Sequence, residues 1–373
     1  MIKITAMMIV CVILAYQSER YTDSVLARGR YYNVMKDRAF VALVIILILF
    51  AGLRREYNDT WNYIVDFRRD EGLDAFLANR ENLNILKNPL YYFYRSFLRD
   101  LTDNDQILIF IPAVFTQISF MLFFKRYSHS FTFSVFLYFA LGTINVSLAA
   151  MKQVWAMAIV TLAFPYLEKK QWMRYYIIVF IAMLMHTYAL AFAVLPLFSQ
   201  RPWKPFTYIF VAVLVFVMMN FEGTISAFMD QAEEVGKKLY AEEIFDNYGV
   251  NILRVAVYAV APLISFLFRR WIFRNSGTGD HIVVHMSIIS FAFMLMGTQS
   301  GANMFARMAH YFELGTVCCI PWMLKKTFDK RSYQLVSVLT VCCFLVYFVY
   351  ANSINLHFDS AYKANSIFSL LGF

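Results

Sequence analysis

Apolar residues come in long blocks that hold few charges, and short basic stretches separate them. Eleven such blocks lie near 1–16, 39–53, 105–124, 131–147, 150–166, 174–198, 206–221, 251–268, 281–297, 307–324 and 333–351. Several reach the roughly 20 residues with which a helix crosses the hydrocarbon core of a bilayer. The pattern predicts an all-α polytopic integral membrane protein of about 11 apolar segments, forming a single transmembrane domain over 1–373. The first block has the length of a signal peptide but no small-residue cleavage pattern, so it reads as a first spanning helix. Block 39–53 covers about 22 Å as a helix. It ends abruptly in Arg54 and Arg55, followed by the acidic and aromatic stretch Glu56 to Tyr63.

The basic residues set the orientation. Arg20, Arg28, Arg30, Lys36 and Arg38 share one loop, and Lys125 with Arg126, Lys169 with Lys170, Arg201 with Lys204, Arg269 with Arg270, and Lys325 with Lys326 mark others. The positive-inside rule places all of these on the cytoplasmic side. The loops 54–104 and 222–250 then lie outside. The second carries Glu222, Asp230, Glu233, Glu234, Glu242, Glu243 and Asp246 against Lys237 and Lys238. This arrangement needs segment 174–198 to enter and return. His186-Thr187-Tyr188 supplies a break, giving a broken or re-entrant segment with half-helices of roughly 11 residues, about 16 Å each, that meet near the midplane. One tilted helix is the simpler alternative, with Arg201 and Lys204 as an exception. Residues 89–104, with Tyr91, Tyr92, Tyr94 and Phe97, predict an amphipathic helix lying at the membrane surface.

Composition sharpens the class. The chain is 60% hydrophobic and 16% charged, with a net charge of +9. The positive charge sits in loops between apolar blocks, which argues for membrane anchoring and against nucleic acid. Cys11, Cys318, Cys319, Cys342 and Cys343 all fall inside apolar blocks, so neither a disulfide framework nor a zinc site is expected. His281 and His285 are spaced like metal ligands but have no third partner in sequence, and Asp103-Asn104-Asp105 lacks the context of a nucleotide-sugar site. No metal and no cofactor is expected. Walker, Gly-x-Ser-x-Gly and Gly-x-Gly-x-x-Gly motifs are absent from the sequence.

The candidate chemistry lies at the outer ends of the helices. Arg54, Arg55, Asp59 and Tyr63 follow the second block. Lys152 and Gln153 open 150–166, Arg254 opens 251–268, and Arg307 opens 307–324 with His310 and Tyr311 on its face. His186 sits at the tip of the break. Cations at four outer helix ends oppose the usual bias, and an anionic ligand explains them better than topology does. Each residue also has a plain reading. Arg54 and Arg55 can snorkel to headgroups, Asp59 can cap a helix, and His186 can be a hydrogen-bonded core residue. Glu313 lies about 240° round the helix from Arg307 and is not expected to be its direct partner.

Four ordered motifs carry a resemblance. Arg54 with Asp59-Thr60 and Tyr63 is similar to an Arg…Gly-x-Asp-x-x-x-Tyr signature. Met151-Lys152-Gln153 with Ala156 is similar to Ile-Arg-Gln-x-x-Ala. Ala182 to Ala189 through His186 resembles Ala-x-x-x-His-x-Ser-Ala, and Arg307 with Tyr311-Phe312 and Pro321 resembles a late Arg-x-x-x-Tyr-Phe segment. Together they resemble the EpsG family of Wzy-type polysaccharide polymerases. Tyr57 replaces the glycine, Lys152 replaces an arginine, and Thr187 and Tyr188 differ after the histidine.

The resemblance implies a multi-pass enzyme of the bacterial inner (plasma) membrane. It would be a glycosyltransferase that polymerises undecaprenyl-diphosphate-linked oligosaccharide repeat units at the outer face into exopolysaccharide, capsule or O-antigen. Arg307 would be catalytic, with Asp59 or His186 as base. Arg54, Arg55, Tyr63, Lys152, Gln153, Arg254 and Tyr311 would bind substrate. The expected partners are the lipid-linked oligosaccharide and the bilayer, with a flippase and a chain-length regulator as candidate proteins. A transporter or flippase of lipid-linked glycan or organic anion, and a glycan ligase, are the alternatives.

Overall fold

The computed structural model describes residues 1–29, 31–220, 250–298 and 303–371. The acidic loop expected over 222–250 lies outside the described residues, apart from Val250. The chain divides into two compact units, Met1–Ala193 with Lys330–Phe373, and Val194–Asp329.

Helices build the first unit. α1 (Ile2–Ala27) runs well past the apolar block, because its polar end finds partners. Ser18 Oγ donates to Asp37 Oδ2 at 2.7 Å, Lys125 Nζ donates to Thr22 Oγ1 at 2.8 Å, and Glu19 Oε2 accepts from Thr132 N at 2.7 Å. α2 (Arg38–Gly52) starts at Asp37, whose carboxylate caps Phe40 N at 3.0 Å. Leu43, Leu47 and Ala51 recur every four residues and are buried, giving the helix one inward stripe. After α2 come α3 (Thr60–Arg68), α4 (Leu73–Ala78), α5 (Pro89–Leu101) and α6 (Asp105–Tyr127). α5 is the amphipathic helix expected over 89–104. α7 (Phe131–Ala140) and α8 (Thr143–Ala149) meet at a 59° bend. Gly142 sits in the bend at φ +86, a conformation that other residues rarely adopt. α9 (Met151–Thr161), α10 (Phe164–Glu168) and α11 (Trp172–Met185) follow.

The break in 174–198 is real. α11 ends at Met185, His186 is extended (φ −152, ψ 116), and Thr187–Phe198 forms a 3-10 helix. Tyr175 Oη donates to Phe192 O at 2.6 Å across 17 positions. A continuous α-helix would separate those residues by about 25 Å, so the chain folds back on itself. The arms are longer than the sequence suggests. α11 has 14 residues, or about 21 Å, and the 3-10 arm has 12, or about 24 Å. Each exceeds half of a roughly 30 Å hydrocarbon core. The tip packs against the loop before α5, where Thr187 N and Oγ1 donate to Asn88 Oδ1 and Leu86 O, both at 2.8 Å.

A short antiparallel ribbon ties the turn after α2 to the late stretch of this unit. Arg54–Glu56 (β1) pairs with Lys363–Ala364 (β2), and Asn365 N donates to Leu53 O at 2.8 Å. Tyr362 Oη also reaches Phe50 O at 2.6 Å.

The second unit holds α12 (Pro205–Met219), α13 (Ile252–Leu267), α14 (Thr278–Met296) and α15 (Asn303–Thr327). α14 and α15 lie along each other at a glycine contact. A Cβ on Gly315 would meet Val283 O at 2.5 Å and the Cβ of Met286 closer still. Ser290 Oγ donates to Ala309 O at 2.7 Å across the same seam. α16 (Lys330–Val349) returns the chain to the first unit.

Among the described residues four helices are long and apolar enough to cross a membrane, namely Ile2–Ala27, Asp105–Tyr127, Thr278–Met296 and Lys330–Asn355. The bent α7–α8 pair makes a fifth. Other expected segments are apolar helices of 10–17 residues, such as Arg38–Gly52 and Ile252–Leu267.

Candidate functional site

In the first unit the site starts at the turn after α2. Arg54 is buried, and its guanidinium is turned back on its own loop. Nη1 donates to Ala51 O at 2.5 Å and Nε to Thr60 Oγ1 at 3.2 Å, while Thr60 Oγ1 donates to Tyr57 O at 2.7 Å. Burial pulls this guanidinium down to about 10, against the opposing influence of Tyr362 and Tyr63. Arg54 therefore fixes the turn from which α3 starts. Arg55 pairs with Asp105, which also takes Arg68 at 2.6 Å, and both guanidinium groups lie over the Trp61 ring. The Asp103-Asn104-Asp105 stretch is thus spent locally. Asp103 pairs with Arg99, and Asn104 Oδ1 accepts from Gln106 N at 3.0 Å, capping α6.

Asp59 takes the N-cap position of α3 but makes no side-chain cap bond. Among the described residues its carboxylate has no hydrogen-bond or ion-pair partner, and it is half-buried. One turn on, the Tyr63 ring meets Tyr91 edge-on at 6.1 Å.

Lys152 stands in the first turn of α9, inside a ring of tyrosines. Its Nζ lies 5.2 Å from the ring centre of Tyr91, 5.4 Å from that of Tyr92 and 5.9 Å from that of Tyr63. No carboxylate of the described residues is within ion-pair distance of it. Gln153, next along, is buried. The hairpin tip closes the group. Asn88, at φ 55, accepts the Thr187 bonds and stands just before Pro89, one turn ahead of Tyr91. His186 packs edge-on to Tyr188 at 5.2 Å. α3 packs on α5, α5 on α11 and α11 on α9, so Tyr63, Lys152 and the His186 tip share one region.

The second unit has its own polar group. Arg254 Nη2 lies 2.6 Å from His310 Nε2, and His310 Nδ1 lies 2.7 Å from Glu313 Oε2. An arginine only donates, so Nε2 accepts and the Nδ1 proton is directed at the carboxylate. Tyr258 Oη is 3.3 Å from the same Nδ1. Glu313 is fully buried, and its Oε1 has no hydrogen-bond partner among the described residues. Arg307 is exposed and Tyr311 fully buried. His281 and His285 are engaged separately, with Ser276 at 2.8 Å and Thr207 at 3.2 Å. Among the described residues no group of three His, Cys, Asp or Glu side chains is placed to hold a metal ion.

The structure adds two features to the sequence reading. Tyr91 and Tyr92 look like surface anchors in an amphipathic stretch, yet Tyr91 is 1% exposed and faces Lys152, while Phe93 and Phe97 carry the exposed apolar face. The His310–Glu313 pair had a visible signal, since an acid three residues after a histidine inside an apolar helix needs a partner.

No curated protein and no solved structure shows a significant match to the chain. The sequence profile of the EpsG family matches residues 37–366, spanning every group described above. With that match extending over most of its length, the chain belongs to the EpsG family of Wzy-like polysaccharide polymerases, and is a membrane protein of apolar helices.

Proposed function

We propose that the protein lengthens a glycan by moving it from a lipid diphosphate, undecaprenyl diphosphate, onto a new lipid-linked repeat unit at the outer face of the cytoplasmic membrane. The bond between the donor sugar C1 and its phosphate oxygen breaks, and the electron pair leaves with the lipid diphosphate. A hydroxyl of the acceptor sugar forms the new bond to C1, and its proton passes to a base. The observation that carries this reading is Lys152, a half-buried cation with no carboxylate within ion-pair reach among the described residues, at the start of an apolar helix. A leaving diphosphate supplies the missing negative charge. Arg307, exposed near the start of α15, is the cation that the second unit offers for charge stabilisation. Asp59 and His186 are the two bases offered to the acceptor hydroxyl, and Tyr63 and Tyr311 orient sugar or phosphate. Arg54 serves by fixing the turn that carries Asp59. The eleven apolar segments cross or enter the membrane, with 174–198 as an in-and-out hairpin opening from the cytoplasmic side.

The test uses purified protein in lipid with a synthetic prenyl-diphosphate-linked repeat unit. A ladder of longer lipid-linked products is expected. A single transfer to a foreign acceptor would mean a ligase, and movement across the bilayer without new bonds would mean a transporter. Either result overturns the polymerase reading.

A further inference from the structure

We propose that Tyr91 and Lys152 form a subsite for the phosphate that bears the sugar, with the tyrosine hydroxyl donating directly to it. The proposal rests on the polymerase reading and names where, in the first unit, the sugar 1-phosphate end of the donor is held.

Two observations point to the same missing group. The Tyr91 hydroxyl is buried and has no hydrogen-bond partner among the described residues. Native interiors rarely leave such a donor empty, and a site that a ligand completes is one reason they do. The Lys152 ammonium lies 5.2 Å from the centre of the same ring, with no carboxylate of the described residues within ion-pair distance. An ammonium only donates, and a phenol at neutral pH has a proton to give. Burial raises the Tyr91 phenol well above its ordinary range, so it stays protonated. A ligand that satisfies both must accept hydrogen bonds and carry negative charge. A neutral sugar would leave the lysine unbalanced. A phosphate fits both, because an ammonium over the ring face stands roughly 6 Å from the hydroxyl, a gap one phosphate group bridges with bonds of ~2.8 Å at each end.

The rest of the cage fits the other half of the ligand. The rings of Tyr63 and Tyr92 stand round the same Nζ and offer flat apolar walls to a sugar. In the ligand-free state the hydroxyl is closed to water. An anion that draws Nζ off the rings opens the way to it, so Lys152 both covers the subsite and recruits its occupant.

Tyr91→Phe is a sharp test, because it removes only an oxygen without a partner. Deleting a hydroxyl that makes no bond in the free protein should leave the melting temperature of the ligand-free protein unchanged or raise it. The same change should weaken binding of a short-chain prenyl-diphosphate disaccharide by about 10-fold, the effect of one charge-assisted bond. Lys152→Gln should weaken it further, and Lys152→Arg should restore most of the affinity. Inorganic diphosphate should compete. Binding by Tyr91→Phe within twofold of wild type overturns the subsite, as does a lower melting temperature of the free variant, which would show the hydroxyl already bonded. Equal binding of phosphatidylglycerol in nanodiscs would make this an ordinary headgroup site and overturn it too. Wild-type protein that binds the probe with this dependence but builds no ladder would sink the polymerase reading and leave the subsite standing.

Discussion

Asp59 is the residue whose two roles the structure separates best. It stands where a helix cap belongs, yet its carboxylate caps nothing. Replacing it should therefore spare α3 the roughly 1 kcal/mol that losing a working cap costs, and any fall in activity reports on chemistry. Chain growth in membranes matched for protein amount should fall by about 10²–10⁴-fold in either Asp59→Asn or His186→Asn, whichever residue is the base, and far less in the other. Two near-normal variants would remove both from that role. Arg307→Ala should abolish polymer at normal abundance, and Arg307→Lys should recover part of it, since the ammonium keeps the charge but not the planar fork. Normal polymer from Arg307→Ala would take that residue out of the site. Lys152 was legible in the sequence because a charge opening an apolar block stands out. Tyr91 was not. Which face of an amphipathic helix turns inward is set by its neighbours, and the sequence alone makes Tyr91 look like Phe93.

At the scale of elements, the hairpin 172–198 is the least ordinary piece. Its break was legible from the parity of distant basic loops together with the polar His186-Thr187-Tyr188 interruption. Nothing local announces that the returning arm is a 3-10 helix, a form that seldom runs beyond a few residues. If the hairpin opens to the cytoplasm, cysteines placed at Lys204 and Arg270 should both react only with reagents that enter the cell. Labelling of position 204 from outside, with 270 still protected, would replace the hairpin with a single crossing. Helix packing gives a separate prediction. Gly315→Ala drives a methyl group into Val283 O and Met286, so α14 and α15 must part. Overpacking of this kind costs ~1–3 kcal/mol, and the purified variant should melt at a lower temperature than wild type. Helix lengths were harder to read than helix positions. The end of α1 is polar and charged, and it stays helical because Asp37, Lys125 and Thr132 lie ready to receive it.

At the scale of the molecule, the sequence shows a helical membrane protein but not its division into two compact units, since no linker composition marks Ala193 or Lys330. The β1–β2 ribbon was equally hidden, because Lys363-Ala364 has no strand pattern and becomes a strand only by pairing with Arg54–Glu56. Phe358 and Tyr362 stack on Phe50 and meet Tyr57 at a tilt beside it. Phe358→Ala should therefore disturb the Arg54 turn, lowering both the melting temperature and chain growth, whereas exposed Phe368→Ala should leave both near wild type.

The ribbon also sets a clock on biogenesis. Phe50 and Tyr362 are 312 positions apart, so at about 5–20 residues per second a ribosome needs roughly 15–60 s to deliver the second after the first. The Arg54 turn is threaded into the membrane long before its partner exists. Any product of stalled translation or proteolytic clipping that lacks the 358–365 stretch carries Asp59 just after an unlatched turn. Only a chain read through to this latch holds the Arg54 turn in its final form, so the turn is among the last parts of the first unit to be secured during synthesis.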